Sequence, residues 1–252
     1  MLKITSTANE RVKFLKTLKT KKGREENGTY LLEGRRAVCD AIANGVEFVC
    51  LLLEEGFTVE MLPDCEIMEV SRHVIEALSE TQSPEGIIAE VRKKDTTFSA
   101  AGLNGLVVFL DHLQDAGNLG TIIRTADAAG CSAVILSEEC VELFNPKTVR
   151  ATMSSLFNLP VMTVKNSLQA LDELKKAGYT LYAAALGGEN VYEQTSFPEK
   201  SCVIIGNEGN GITAPVLEKA DKKLMLPMRG SAESLNAGVA AGIFIYHFTF
   251  GK

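Results

Sequence analysis

The sequence predicts an α/β protein of two domains: a smaller N-terminal α/β domain and a larger C-terminal domain with a mostly parallel sheet. Short apolar runs alternate with helical patterns along most of the 252 residues. The run LVVFLD at 106–111 is continuously apolar up to its final aspartate, as strands buried on both faces of a parallel sheet are. The polar, glycine-containing stretch KKDTTFSAAGLNG separates two such blocks. We therefore place the domains at residues 1–95 and 105–252.

The first block predicts a small α/β domain. TYLLEG and FVCLLLEE are its first strands, and RRAVCDAIANG between them is a helix that ends at the capping residue Gly45. CEIMEVS is a further strand, a helix begins at Ser71, and GIIAEVRKK is the closing strand.

The second block predicts strands that alternate with helices. After LVVFLD, the loop HLQDAG leads to Asn118, which we predict to be the N-cap of the helix LGTIIRTADAA. CSAVILSE is the next strand, and Asn145 with Pro146 opens another helix. VMTV, YTLYAAAL, SCVIIGNE and LMLPM follow as strands. The last helix opens with Ser231, Glu233, Ser234 and Asn236, of which N-capping needs only one.

Composition excludes several classes of protein. The N-terminus lacks the pattern of a secretory signal, and the apolar runs are too short to span a membrane. The six cysteines form no C-x-x-C pair and most lie in apolar runs, which indicates reduced thiols in a cytoplasmic protein. Three scattered histidines give no cluster of metal ligands, so we expect no metal.

The charge is unevenly distributed. The net charge is −6, yet residues 1–36 hold ten Lys and Arg against four Asp and Glu. Such a basic segment is what phosphate binding requires, and a solvated helix face explains it equally well from charge alone. The six basic residues that we assign to nucleic-acid binding are Lys13, Lys19, Lys21, Lys22, Arg24 and Arg35.

Three loops at the ends of predicted parallel strands carry glycine together with polar groups. They are DAGNLGTIIRTADAAG, IIGNEGNGIT and the segment before the last helix. Ligands of open α/β sheets bind at such strand ends. Each loop alone is explained by the backbone needs of a turn. Three such loops in one domain favour a ligand-binding site.

Dinucleotides and ATP are poorly supported as ligands. The glycines of Gly206-x-x-Gly209-x-Gly211 do not have the G-x-G-x-x-G spacing, and no G-x-x-x-x-G-K-[ST] loop is present.

In this order, the three loops resemble the three motifs of the SpoU (TrmH-like) RNA 2′-O-ribose methyltransferases of the SPOUT superfamily. The matching segments are N-L-G-x-x-x-R-x-A from Asn118, I-G-N-E-G-x-G from Ile205 and L-P-M-x-G-x-x-x-S-L-N from Leu226. The first block, with KKGR and YLLEG, is similar to the family's L30e-like substrate-binding domain. Two positions depart from the family pattern: Ser154 replaces a usual glycine, and Gly238 replaces a common serine.

The resemblance implies a C-terminal SPOUT domain with a deep trefoil knot that binds S-adenosyl-L-methionine (AdoMet) within the knot. Backbone groups of Gly206, Leu226 and Leu235 would bind the cofactor. The residues implied in catalysis are Arg124, Asn118, Glu208, Ser234 and Asn236. Because arginine keeps its proton in proteins, we expect Arg124 to anchor phosphate and stabilise charge rather than to act as a base.

The implied reaction is methyl transfer from AdoMet to a ribose 2′-hydroxyl of RNA. A 23S-type ribosomal RNA is the expected substrate, because family members with this kind of N-terminal domain generally act on large ribosomal RNA. The resemblance also implies a homodimer through the knot region. The alternatives are a transfer RNA substrate, a catalytically silent RNA-binding protein on the same scaffold, and a small-molecule α/β enzyme with another cofactor.

Overall fold

The fold is that of a two-unit α/β protein. The computed structural model describes residues 2–251, and the side chains of residues 3–251. The elements in chain order are β1 (Leu2–Ile4), α1 (Glu10–Thr17), α2 (Lys21–Asn27), β2 (Thr29–Glu33), α3 (Arg35–Ala43), β3 (Phe48–Glu54), β4 (Glu66–Val70), α4 (Arg72–Leu78), β5 (Ile87–Arg92), β6 (Val107–Leu110), α5 (Ala116–Ala128), β7 (Ala133–Ser137), α6 (Pro146–Ala151), α7 (Ser155–Asn158), β8 (Val161–Val164), α8 (Ser167–Lys176), β9 (Thr180–Asn190), a 3₁₀ turn (Val191–Glu193), β10 (Ser201–Ile205), α9 (Ala214–Lys219), β11 (Lys222–Met225) and α10 (Ala237–Phe250).

Backbone contacts divide the chain into two compact units whose boundaries are not continuous in sequence. The first contains residues 1–94 together with 142–157, and the second contains residues 95–141 and 158–252. The segment 142–157 therefore packs with the N-terminal part of the chain, although it lies between two strands of the second unit.

The first unit is built on a five-stranded mixed sheet in the order β1-β4-β3-β5-β2. β4 runs parallel to both β1 and β3, whereas β5 is antiparallel to both β3 and β2. Its core includes Val12 and Leu15 of α1, which pack with Leu52 and Ile88 of the sheet. The sequence prediction missed β1, α1 and α2 as elements, because their lysines obscured the apolar face that α1 buries.

The second unit is built on a six-stranded sheet in the order β11-β9-β10-β6-β7-β8, and every pairing in it is parallel. β6, β7 and β10 are buried along their whole length, which is why they read as continuous apolar runs. The α/β class with a parallel C-terminal sheet is thus confirmed. The trefoil knot concerns how the chain threads, which strand order does not establish, and it stays a prediction.

Within the described residues, no helix is long and apolar enough to cross a membrane. α10 has the most apolar sequence among the helices, but it has only 14 residues and begins among polar groups.

Candidate active site

The candidate site lies where the strand order of the parallel sheet reverses. From β6 the chain adds β7 and β8 on one side, and it later places β10 on the other side of β6. The segments that follow β6 and β10 meet at the carboxyl edge of the sheet, where Glu208 accepts hydrogen bonds from the segment after β6. Ligands of open α/β sheets bind at this position. The first turn of α5, which follows β6, carries Asn118, and the loop after β10 carries Glu208.

Asp115, rather than Asn118, caps the helix that follows β6. The helix α5 begins at Ala116, and the Asp115 carboxylate accepts the Asn118 backbone N–H at 2.8 Å. The prediction that Asn118 is the N-cap is wrong, because the aspartate three residues earlier takes that role. Asn118 lies inside the first turn, which leaves its side-chain amide available for other contacts.

Glu208 accepts hydrogen bonds from the loop after β6. Its carboxylate accepts the backbone N–H of Gln114 at 3.2 Å, the backbone N–H of Asp115 at 3.0 Å and the Asn118 Nδ2 at 2.9 Å. Partial burial by itself would raise the pKa of Glu208, but these hydrogen bonds outweigh it and lower the pKa below its usual value. Glu208 is therefore ionised at neutral pH and holds the two loops together.

Asn236 extends this arrangement to the third loop. Its Oδ1 caps α10 by accepting the backbone N–H groups of Gly238 at 2.9 Å and Val239 at 3.2 Å. Its Nδ2 donates to the Asn118 Oδ1 at 2.9 Å. The Glu208 carboxylate can only accept hydrogen bonds, so the Asn118 Nδ2 faces it. The Asn236 Oδ1 accepts hydrogen bonds at the start of α10, so the Asn236 Nδ2 faces the Asn118 Oδ1. The network therefore determines the orientation of both side-chain amides. We name Glu208, Asn118 and Asn236 the polar relay.

Gly206 is required by a close backbone approach. A Cβ at this position would lie 2.2 Å from the carbonyl carbon of Gly211, a backbone atom that cannot move aside. The loop is further fixed by Asn207, which accepts the Gly209 backbone N–H at 2.9 Å and donates to the His112 carbonyl at 2.9 Å. Glycine at 206 is thus explained by sterics.

The start of α10 packs closely on α5. A Cβ on Gly238 would lie 3.3 Å from the Asn118 Oδ1 and 3.5 Å from the Thr121 methyl group, and a Cβ on Gly242 would lie 3.7 Å from the Thr125 methyl group. Glycines four residues apart on one helix therefore face threonines four residues apart on the other. Gly238, which stands where the family commonly has serine, thus lies in a tight space next to the polar relay.

Arg124 and Ser234 are exposed and lie outside the polar relay. Neither side chain forms a hydrogen bond or ion pair with any other residue in the part of the chain that the structure describes. Arg124 lies two helical turns after the start of α5, one turn beyond Thr121, which contacts α10. Its guanidinium is free to meet a ligand. The catalytic roles of both residues stay predictions.

The segment that carries Leu226 and Leu235 offers unpaired backbone groups. Leu226 is half-buried and Leu235 is exposed. Among the described residues, none between 226 and 235 takes part in a backbone hydrogen bond. Such groups need a partner, which water or a ligand can supply. With the glycine loop after β10, this segment fits a cofactor held through main-chain donors and acceptors.

No metal site is formed in the described part of the chain, where no group of three or more His, Cys, Asp and Glu is placed to hold an ion.

Arg24 is not available for RNA binding. Its side chain is 3% exposed, and its guanidinium binds both carboxylate oxygens of Glu142 and the Leu18 carbonyl. Arg24 therefore has a structural role in joining the segment 142–157 to the first unit. We correct its assignment as an RNA contact, because lysine and arginine content cannot distinguish a buried ion pair from a surface charge.

The other predicted RNA contacts lie on or near the surface of the first unit. Lys13, Lys21 and Lys22 form exposed ion pairs with glutamates three or four residues along the same helices. Lys19 donates to the Ser79 carbonyl at 3.0 Å and pairs with Glu80 at 3.2 Å. The Arg35 guanidinium lies over the Phe57 ring.

Sequence reasoning missed several residues that shape the site. Gln114 and Asp115 supply backbone donors to Glu208, and the fully buried Asp111 accepts the Thr213 N–H at 2.7 Å and hydroxyl at 2.8 Å. One signal in the sequence could have identified Asp115 as the helix cap. Asp115 and Asn118 have the spacing of an N-cap residue and the N3 residue that follows it.

Comparison with known proteins gives a match for each of two parts of the chain. Residues 105–246 match the SpoU rRNA methylase family, and residues 9–89 match the MRM3-like substrate binding domain. The chain is 37% identical over 249 residues to the 23S rRNA (guanosine(2553)-2′-O)-methyltransferase RlmP of Bacillus subtilis, which covers 98% of this chain and 99% of the relative.

Solved structures agree with this similarity. A crystal structure of an RNA 2′-O ribose methyltransferase superposes with a TM-score of 0.84 at 31% identity and covers 97% of both chains. The AdoMet-bound rRNA methyltransferase from Sinorhizobium meliloti superposes with a TM-score of 0.86 at 29% identity, covering 97% of this chain and 95% of that one. The family match spans more than half of the chain and the relatives are matched along nearly all of it, so the chain belongs to the SpoU rRNA methylase family.

Proposed function

We propose that this protein methylates a ribose 2′-hydroxyl of a 23S-type ribosomal RNA, that Arg124 acts on the RNA and that the polar relay positions the groups around the reaction. As a SpoU-family methyltransferase it uses AdoMet. The observation that carries the proposal is the polar relay itself, in which Glu208, Asn118 and Asn236 join all three motif segments by hydrogen bonds at the carboxyl edge of the sheet. The printed activities of the relatives support the same substrate class.

Arg124 is the residue best placed to act on the RNA. When bound, AdoMet supplies an electrophilic methyl group. The ribose hydroxyl is a weak acid, so its oxygen must become more negative as its proton leaves. A guanidinium keeps its proton and forms bidentate hydrogen bonds to phosphate, so Arg124 positions the adjacent phosphate and stabilises the charge that develops on the oxygen.

The polar relay positions the groups around the reaction rather than reacting itself. Glu208 is occupied by three donors and Asn236 by two backbone N–H groups and Asn118, so these side chains hold the loops in one geometry. Preorganised loops of this kind keep backbone donors and acceptors aligned with the cofactor. Ser234, next to this network and exposed, is free to bind the target ribose.

The basic surface of the first unit supports RNA binding. Exposed ion pairs such as those of Lys13, Lys21 and Lys22 contribute little to stability, roughly 0–1 kcal/mol each, so these lysines can exchange a glutamate for a phosphate. Replacing the three lysines by alanine should weaken RNA binding and flatten its salt dependence, measured by fluorescence anisotropy across a salt series. Unchanged binding would assign this surface to another role.

Arg124→Ala tests the proposed function. We expect it to abolish methyl transfer from labelled AdoMet to ribosomal RNA and to leave AdoMet affinity, measured by calorimetry, near the wild-type value. Lys165→Ala removes a charge from an exposed position elsewhere in the same unit and serves as the matched control. Loss of AdoMet binding together with activity would contradict the role assigned to Arg124. AdoMet binding by a wild-type protein that methylates no RNA would contradict the proposed activity.

We also propose a homodimer through α10. This helix exposes an apolar stripe on one face, with Val239 at 52%, Tyr246 at 47% and Phe250 at 62% exposure. An exposed stripe of this kind is typical of an interaction surface, and a second copy of this chain is the partner that the family resemblance implies. Light scattering should give twice the mass of the chain, and Tyr246→Glu should give a monomer; a wild-type monomer at micromolar concentration would contradict the proposal.

We place the protein's activity in the cytoplasm. All six cysteines are free thiols. Burial raises the pKa of Cys50 to about 11 and that of Cys131 to about 12, so neither is a reactive thiolate at neutral pH. Buried thiols without partners suit a reducing compartment.

A further inference from the structure

The first unit contains a cavity of about 310 Å³ that shares no lining residue with the AdoMet and ribose site proposed above. Its walls come from β2, α3, the end of α4 and the segment 142–157, all within the first unit. Small-molecule sites commonly span roughly 300–1,000 Å³, so this volume suits a ligand the size of one nucleotide and excludes a helical duplex. Its apolar walls include Leu31, Ile88 and Val149.

The carboxylates of the cavity are already satisfied by the protein. Glu33 accepts hydrogen bonds from the hydroxyls of Ser79 and Thr81 and from the Glu80 N–H. Glu80 also pairs with Lys19 at 3.2 Å. The Glu85 carboxylate accepts the N–H at the start of α3 at 2.7 Å. Among these described carboxylates, only Glu80 is paired with a cation, and the donors to Glu33 and Glu85 are neutral groups.

Two arginines of the cavity are left with weak or no internal partners. Arg150 is exposed and its side chain forms no hydrogen bond or ion pair with a residue that the structure describes. Arg36 is 75% exposed and reaches Asp40 only at 3.6 Å. The cavity thus combines apolar walls with one unpaired guanidinium, that of Arg150, which can stack on a base or bind its phosphate.

The wall beside Arg150 is held in an unusual backbone conformation. Met153 and Ser154 are consecutive residues with φ of 48° and 75°, in the left-handed region that favours glycine. Strain of this kind persists where the surroundings hold it in place and is common at ligand clamps. Both residues line the cavity.

From this combination we infer that the cavity binds a single unstacked nucleotide of the substrate RNA, other than the nucleotide that is methylated. The base packs on the apolar wall, the Arg150 guanidinium stacks on it or pairs with its phosphate, and Arg36 binds a neighbouring phosphate. The inference rests on the proposed function, since it takes RNA as the substrate. It adds a recognition site in the N-terminal unit that the exposed lysines do not provide.

The test uses the full chain and a fluorescein-labelled uridine decamer, without AdoMet. Ala37→Leu fills the cavity without changing charge, and Arg150→Ala removes its free cation. We expect each to weaken decamer binding by about tenfold, the loss typical of one stacked base. Arg150→Ala should also lower the slope of log affinity against log salt by about 0.7. Arg92→Ala, an exposed arginine outside the cavity, should change affinity less than twofold.

Wild-type affinity for the decamer in both cavity variants would overturn the inference, as would an equal loss of affinity in Arg92→Ala. Crosslinks of a 4-thiouridine decamer to residues outside the cavity walls would also overturn it. If uridine monophosphate competes as well as the decamer, the cavity binds free nucleotides instead. A chain that binds the decamer through the cavity but methylates no RNA would contradict the proposed function alone. A chain that methylates RNA while both cavity variants bind normally would contradict this inference alone.

Discussion

Asn236→Asp separates two roles that one side chain combines. Aspartate is as good an N-cap as asparagine, so the hydrogen bonds to the N–H groups of Gly238 and Val239 should persist. The new charge at the start of α10 should stabilise by about 0.3–1 kcal/mol. Loss of the donor to Asn118 should cost about 1 kcal/mol. These contributions nearly cancel, so the free energy of unfolding should stay within about 1 kcal/mol of the wild type.

The polar relay should nevertheless fail in this variant. Asn118 would face carboxylates on both sides, with its Oδ1 pointing at an acceptor that repels it. A flipped amide would instead turn that oxygen toward Glu208. Since neither orientation satisfies both neighbours, the loops should shift, and a displacement of about 1 Å can lower catalysis by about 10²-fold.

Asn236→Ala and Asn166→Asp complete the experiment. The alanine loses both the cap and the relay, about 2 kcal/mol together, and should melt at a lower temperature. Asn166→Asp makes the same change at the exposed N-cap of α8, outside the polar relay, and should keep its activity. Melting by scanning fluorimetry and methyl transfer from labelled AdoMet would be measured for all three. Wild-type activity in Asn236→Asp would refute the relay, and an unchanged melting temperature in Asn236→Ala would refute the cap.

Three further predictions concern sterics, a buried ion pair and backbone strain. Gly206→Ala places a Cβ 2.2 Å from backbone and should reduce AdoMet affinity at least tenfold by calorimetry, whereas Gly242→Ala, with its nearest neighbour at 3.7 Å, should not. Arg24→Ala leaves a buried carboxylate unpaired and should lower the free energy of unfolding by about 3–5 kcal/mol in urea, against less than about 0.5 kcal/mol for Lys22→Ala; equal effects would contradict the burial of Arg24. Ser154→Gly should raise the free energy of unfolding by about 0.5–1 kcal/mol, because the relief of the left-handed backbone exceeds the entropic cost of glycine, and a lower value would argue against strain.

The parallel sheet and the convergence of its three loops could be predicted from the sequence because each depends on a local pattern. A strand buried on both faces is continuously apolar, as β6, β7 and β10 are. The Asn145-Pro146 pair opened a helix as predicted. Once the strands were assigned, their carboxyl ends had to share an edge.

Other features depend on tertiary contacts that no local pattern contains. Asp115 and Asn118 are both good caps in sequence, and only the contact with Glu208 shows which side chain is free to join the relay. Arg24 looked like a surface cation because its partner, Glu142, lies 118 residues away. For the same reason, sequence order placed the segment 142–157 in the second domain, whereas its contacts group it with the first unit.

Ribose-methylation mapping of total RNA tests the central claim most directly. RNA from cells that lack the protein would be compared with RNA from the same cells supplied with the wild-type chain or with Arg124→Ala. We predict one 2′-O-methylated nucleotide in the large ribosomal RNA that appears with the wild type and is absent with the variant. A map that does not change, or a new methyl group on a base rather than a ribose, would contradict the claim.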